Sequence, residues 1–136
     1  MNPPTLRWPL LAAALLGCTG VMAGAFGAHG LADQVTPARL EIWRTASSYQ
    51  LLHALALLSF GLAVAASSRL SASGLAMWVC RCWLLGVLIF SGSLYALVLL
   101  DLPVLGAVTP VGGTLLIVGW ALLFWLVIRH MNAGLD

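Results

Sequence analysis

Long apolar stretches alternate with short polar connections along this chain, and four are long enough to span a bilayer: 8–28, 49–66, 83–100 and 111–128. About 17 to 25 residues carry an α-helix across a hydrocarbon core of about 30 Å. Inside lipid the backbone has no water to bond, so each stretch must satisfy its own N–H and C=O groups, which makes it a helix. The pattern predicts an all-α fold, a four-helix transmembrane bundle formed as one domain over 1–136. Two connections end alike, in Thr36-Pro37 and Thr109-Pro110. Thr is a good N-cap, and Pro at the first helical position forfeits no needed hydrogen bond. The first pair therefore predicts a short amphipathic interfacial helical extension before the second span. Leu40, Trp43 and Ser47 share one of its faces, and Glu41 can pair with Arg44 on the wet side.

Composition strengthens this reading and adds little to it. Hydrophobic residues make up 62% of the chain and charged residues 7%, with a mean hydropathy of +1.04. Soluble domains carry about 25% charged residues and could not cover their surface with so few. The lipid bilayer is the expected partner. A net charge of +2 without a basic run points to no nucleic acid. Cys18, Cys80 and Cys82 do not make a disulfide framework, and Cys80-Arg81-Cys82 lacks the spacing and the second pair of a tetrahedral zinc site. They are expected to act as small apolar fillers.

Arginine placement orients the bundle. Arg7, Arg69, Arg81 and Arg129 fall on one side of four spans, Arg39 and Arg44 on the other. The positive-inside rule puts the first group, and with it both termini, in the cytoplasm. Trp8, Trp78, Trp83 and Trp125 would then mark the inner interface, Trp43 and Tyr49 the outer one. Arg7 and the run from Trp8 to Leu16 resemble the start of a secretion signal, and Leu15-Leu16-Gly17-Cys18 resembles a lipobox. The apolar run continues past both to Ala28, so a retained span is expected, without cleavage or lipidation at Cys18.

Small residues predict where helices touch. The first span carries Gly17, Gly20, Gly24 and Gly27, including a true G-x-x-x-G, and Gly92 lies on the third. Helices in lipid gain little from hydrophobic exclusion, so close backbone approach through small residues drives their packing. The first span is expected to be the one most tightly embraced.

Polar residues that lipid would reject gather towards the predicted outer end: His29, Tyr49, Gln50, His53, Ser91, Ser93 and Tyr95. Helical spacing puts Tyr49 and His53 on one face and Ser91 beneath Tyr95. Polar groups at such depth face the bundle interior or a wet cavity, and one hydrogen-bonded network of Tyr49, Gln50, His53, Ser91 and Tyr95 is expected.

The segments Gly24–Leu31, Thr45–Ala54, Phe90–Tyr95 and Thr109–Gly113 through Gly119-Trp120 resemble a family of small four-span bacterial membrane proteins known as the domain of unknown function number four-two-three, an uncharacterised protein family. The resemblance runs from about Leu15 to Leu123. It implies a bacterial plasma (inner) membrane location, relatives in mitochondria and four transmembrane helices. It brings no activity.

The chemistry these residues offer is sparse. His29 and His53 on neighbouring helices are the parts of a bis-His haem or metal site, short of the four ligands of structural zinc. Ser91 or Ser93 with a histidine lacks an acidic residue to orient it and an oxyanion-hole motif. No intramembrane Asp, Glu or Lys marks an ion-coupling site, although the polar cluster could admit a small solute or proton. The sequence thus favours a non-enzymatic structural, accessory or lipid-interacting bundle, with no cofactor. Homo-oligomerisation or membership of a larger membrane complex suits its small extramembrane mass.

Overall fold

A computed structural model describes residues 7–132. The chain forms α1 (Trp8–Phe26), a π-helical turn that prolongs it (Gly27–Leu31), α2 (Pro37–Ala66), a single turn α3 (Ser68–Ser71), α4 (Gly74–Leu100), a 3-10 turn (Pro103–Ala107) and α5 (Thr109–Asn132). Four of these helices are long and apolar enough to cross a membrane, and together they form the predicted all-α bundle. Asn2 and Asp136, whose sidedness the expected topology specifies, lie outside the described residues.

α2 and α4 begin well before their predicted spans, because caps, not hydropathy, set their starts. Thr36 accepts from the Arg39 N–H to start α2, and Ser73 accepts from Ala76 to start α4. Ser67, between α2 and α3, bonds the Leu70 N–H. The interfacial extension predicted ahead of the second span is the beginning of one uninterrupted 30-residue α2. At 1.5 Å per residue α2 is about 45 Å long, half as long again as the hydrocarbon core. Its face of Leu40, Trp43 and Ser47 turns into the bundle, with Trp43 and Ser47 buried. Thr109 departs from its predicted role. It is the first residue of α5, and its hydroxyl turns away from capping to bond Ser93 Oγ at 2.8 Å.

α2 and α4 form the centre, α1 lies along α2, and α5 lies along α4. The core joins Leu16, Leu57, Val79, Trp83, Val87 and Leu116, with Trp83 only 1% exposed. The tightest approach is between α4 and α5. A Cβ added at Gly112 would come within 2.4 Å of the Phe90 backbone nitrogen and 2.9 Å of the Gly86 carbonyl oxygen. The expectation that α1 is the most tightly embraced helix is overturned. Only 22% of its most apolar stretch is buried, against 39% for α4. Of its glycines, Gly20 meets Leu51 and Gly27 meets Trp43, whereas Gly17 and Gly24 face open space. Gly92 on α4 is also open. Small residues permit close approach but do not compel it, and α1 is an edge helix with one principal neighbour.

Candidate functional site

The polar residues form separate centres along the bundle instead of the single network expected. The first joins α1, α2 and α4 through Gln50, which is buried. Its Nε2 donates to Leu16 O at 2.9 Å and to Thr19 Oγ1 at 2.8 Å, while its Oε1 accepts from Tyr95 OH at 2.8 Å. Thr19 in turn donates to Leu15 O at 2.8 Å. Both amide hydrogens are used, and one side chain ties three helices. A cleft of about 240 Å³ opens beside it, lined by Gln50, Ser91, Gly92 and Tyr95.

The second centre lies between α2, α4 and α5. His53 is buried, with Nδ1 2.9 Å from Tyr49 O and Nε2 3.1 Å from Trp120 Nε1. An indole N–H only donates and a carbonyl only accepts, which fixes the proton. Nε2 is the acceptor, Nδ1–H the donor, and the imidazole neutral. A second proton on Nε2 would meet the Trp120 N–H head on. The Tyr49 ring stacks over His53 at 6.1 Å and packs on Phe90 at 4.7 Å. Tyr49 itself is 46% exposed and contributes its backbone carbonyl, not its phenol, to the bonding. A lateral cleft of about 450 Å³ opens here between Tyr49, His53, Phe90, Gly113 and Trp120. Deeper in, the Trp83 indole packs 4.7 Å from Trp120, and its N–H, without a partner among the described residues, lies against the bare Gly119 backbone.

Towards the end bearing Asp101, single bonds tie neighbouring helices. Ser91 donates to Ala46 O of α2 at 2.8 Å, a bond that does not involve His53. Ser93 pairs with Thr109. Trp43, expected at the outer interface, instead sinks between α1 and α4. Its indole donates to Ala23 O at 2.7 Å and packs 4.5 Å from the Tyr95 ring. The site exists because Gly27 lacks a side chain, since a Cβ there would lie 2.5 Å from the indole. Arg39 pairs with Asp101, the residue that ends α4 in a left-handed conformation (φ 55°, ψ 43°).

His29 stands apart from all of these. It is exposed on the π turn, without a hydrogen-bond partner among the described residues. Since the protein engages both nitrogens of His53, the two histidines do not offer the pair of free imidazole nitrogens that a bis-His site would use. Cys80 and Cys82 are buried free thiols, and Cys82 packs against Gly119. Sequence reading missed Thr19 and Trp43. Thr19 sits three residues beyond Leu16, one turn along the face that meets Gln50, and was the available clue. Nothing local distinguishes Trp43 from an interfacial tryptophan.

The chain matches the family model described as "Protein of unknown function (DUF423)" over residues 23–113. It is 40% identical to the UPF0382 inner membrane protein YgdD of Escherichia coli K12, over 97% of this chain and 98% of that protein. It is 39% identical to the UPF0382 membrane protein SSP2132 of Staphylococcus saprophyticus, over 84% of this chain and 91% of the relative. Against the UPF0382 membrane protein YwdK of Bacillus subtilis the identity is 34%, over 90% and 97%. No solved structure matches the chain. The chain belongs to the DUF423 family of membrane proteins.

Proposed function

We propose that this member of the DUF423 family is a non-enzymatic accessory bundle of the bacterial inner membrane, which docks laterally on another membrane protein. One observation carries the reading: the buried side chains of Gln50 and His53 spend their polar atoms on bonds within the bundle. Gln50 uses both amide hydrogens and its oxygen, and His53 uses both ring nitrogens. A general base or a proton carrier needs a group free to exchange its proton. The docking face is the open side of α1, where Gly17 and Gly24 leave room for a second helix to approach. Both ends of the chain lie in the cytoplasm in this reading. Arg7, Arg69, Arg81 and Arg129 are at that end, against Arg39 and Arg44 at the other.

The test is native mass spectrometry of the full chain released in mild detergent. A co-purifying protein, or a second copy, lost in Gly24→Leu while helicity and melting stay at the wild-type values, supports docking. A wild-type chain that is monomeric and alone under these conditions refutes it. For the orientation, single cysteines at Asn2 and Asp136 should label only from the cytoplasmic side.

The 450 Å³ cleft beside His53 favours a second reading, passage or binding of a small solute. Flux through proteoliposomes that disappears in His53→Ala would establish it in place of the first.

A further inference from the structure

The end of the bundle opposite Asp101 holds two adjacent cavities. One, of about 260 Å³, is lined by Arg69 from α3, Ser73 at the start of α4, and Leu126, Arg129 and His130 from the last turns of α5. The other is an apolar groove of about 420 Å³ between α2, α3 and α5, walled by Phe60, Leu70, Leu123, Val127 and Met131. Leu126 and His130 line both.

The small cavity is built for an anion. Neither Arg69 nor Arg129 has a carboxylate partner among the described residues, in contrast to Arg39 and Arg44. His130 Nδ1 lies 3.1 Å from Leu126 O and must donate to it. That bond fixes the ring, with its buried Nε2 left without a partner among the described residues. Nε2 is then an acceptor, to which a headgroup hydroxyl can donate. Ser73 caps the 27-residue α4, so the positive end of that helix dipole adds to the same field.

The geometry points to a binding site for an anionic glycerophospholipid. Its phosphate would sit between Arg69 and Arg129 with a headgroup hydroxyl at His130, and an acyl chain would lie in the Phe60–Met131 groove. A free phosphate would use the first cavity and have no use for the second. Because the two cavities share Leu126 and His130, a phosphate in the first and an acyl chain in the second can belong to one phospholipid, and basic pockets between transmembrane helices suit such headgroups. The site lies on α2, α3, α4 and α5, away from the open face of α1, and does not rest on the docking role.

The experiment uses the full purified chain and native mass spectrometry, titrated with phosphatidylglycerol, with zwitterionic phosphatidylethanolamine of the same acyl chains, and with inorganic phosphate as competitor. One phosphatidylglycerol should bind in preference to phosphatidylethanolamine and survive the phosphate. Arg69→Gln and Arg129→Gln should each weaken it about fivefold, the effect of one cation near an anionic headgroup. Val127→Trp, which fills the groove, should also weaken it. Arg81→Gln is the control. Arg81 belongs to the same basic end but lies over the Trp78 ring, 5.3 Å from its centroid, outside both cavities. Equal loss in Arg81→Gln would mean diffuse surface attraction and overturn the site. So would equal binding of the two lipids. Displacement by inorganic phosphate would identify a free anion as ligand and overturn the lipid assignment. Each arginine variant should keep the wild-type melting profile, since all three side chains are exposed.

Discussion

Replacing Gln50 by Leu removes a side chain that hydrogen-bonds α2 to both α1 and α4. Leu keeps much of the volume and the burial, so the loss is chiefly of hydrogen bonds: two to α1 and one from Tyr95 on α4. In water-soluble proteins each would contribute about 0.5–1.5 kcal/mol. In membranes the unfolded chain also finds partners, and measured values average about 0.6 kcal/mol with a maximum near 1.7. Three such bonds give about 2 kcal/mol. The abandoned Tyr95 hydroxyl, half-buried against the Trp43 ring, adds a desolvation cost of about 1 kcal/mol. The double-mutant cycle with Tyr95→Phe isolates the single Gln50–Tyr95 bond, whose coupling should be about 0.6–1.7 kcal/mol. Both numbers come from reversible unfolding of the protein in mixed micelles titrated with SDS, followed by far-UV circular dichroism. A Gln50→Leu variant as stable as the wild type, or a coupling of zero within error, would refute the view that this side chain ties the bundle.

Three further outcomes follow from other contacts. Gly112→Ala should destabilise by about 1–3 kcal/mol in the same titration, because backbone atoms of Phe90 and Gly86 cannot yield to the new Cβ, whereas Gly24→Ala should be neutral. In ¹⁵N NMR of the imidazole, His53 should show the neutral Nδ1–H form, and Trp120→Phe should weaken that preference by freeing Nε2. Arg39→Gln should cost no more than about 1 kcal/mol and less at high salt, since Asp101, its partner, is largely exposed.

Residues at the centres illustrate how far the sequence could be read. Gln50, His53, Ser91 and Tyr95 are legible as buried because lipid would reject them, and hydropathy registers that rejection. Their partners are less legible. Gln50 bonds Thr19 on α1 and His53 bonds Trp120 on α5, so neighbours one turn apart on α2 serve different interfaces. Spacing along one helix gives the face of a residue but not which helix lies opposite. Trp43 reads as interfacial because tryptophan favours that depth, yet the gap over Gly27 draws it inward.

The sequence by itself determined the solvent, the number of spans, and the capped start of α2. All of these depend on backbone groups being satisfied within one segment, so local composition suffices. Only the tertiary structure decided which glycines are closed, with Gly112 against Phe90 and Gly24 facing outward. It alone divided the polar cluster into separate centres and brought Arg69, Arg129 and His130 around one cavity. The physical reason is that lipid and bundle interior are equally apolar. A leucine facing outward and one facing inward are written alike, and the choice between them belongs to the neighbouring helix.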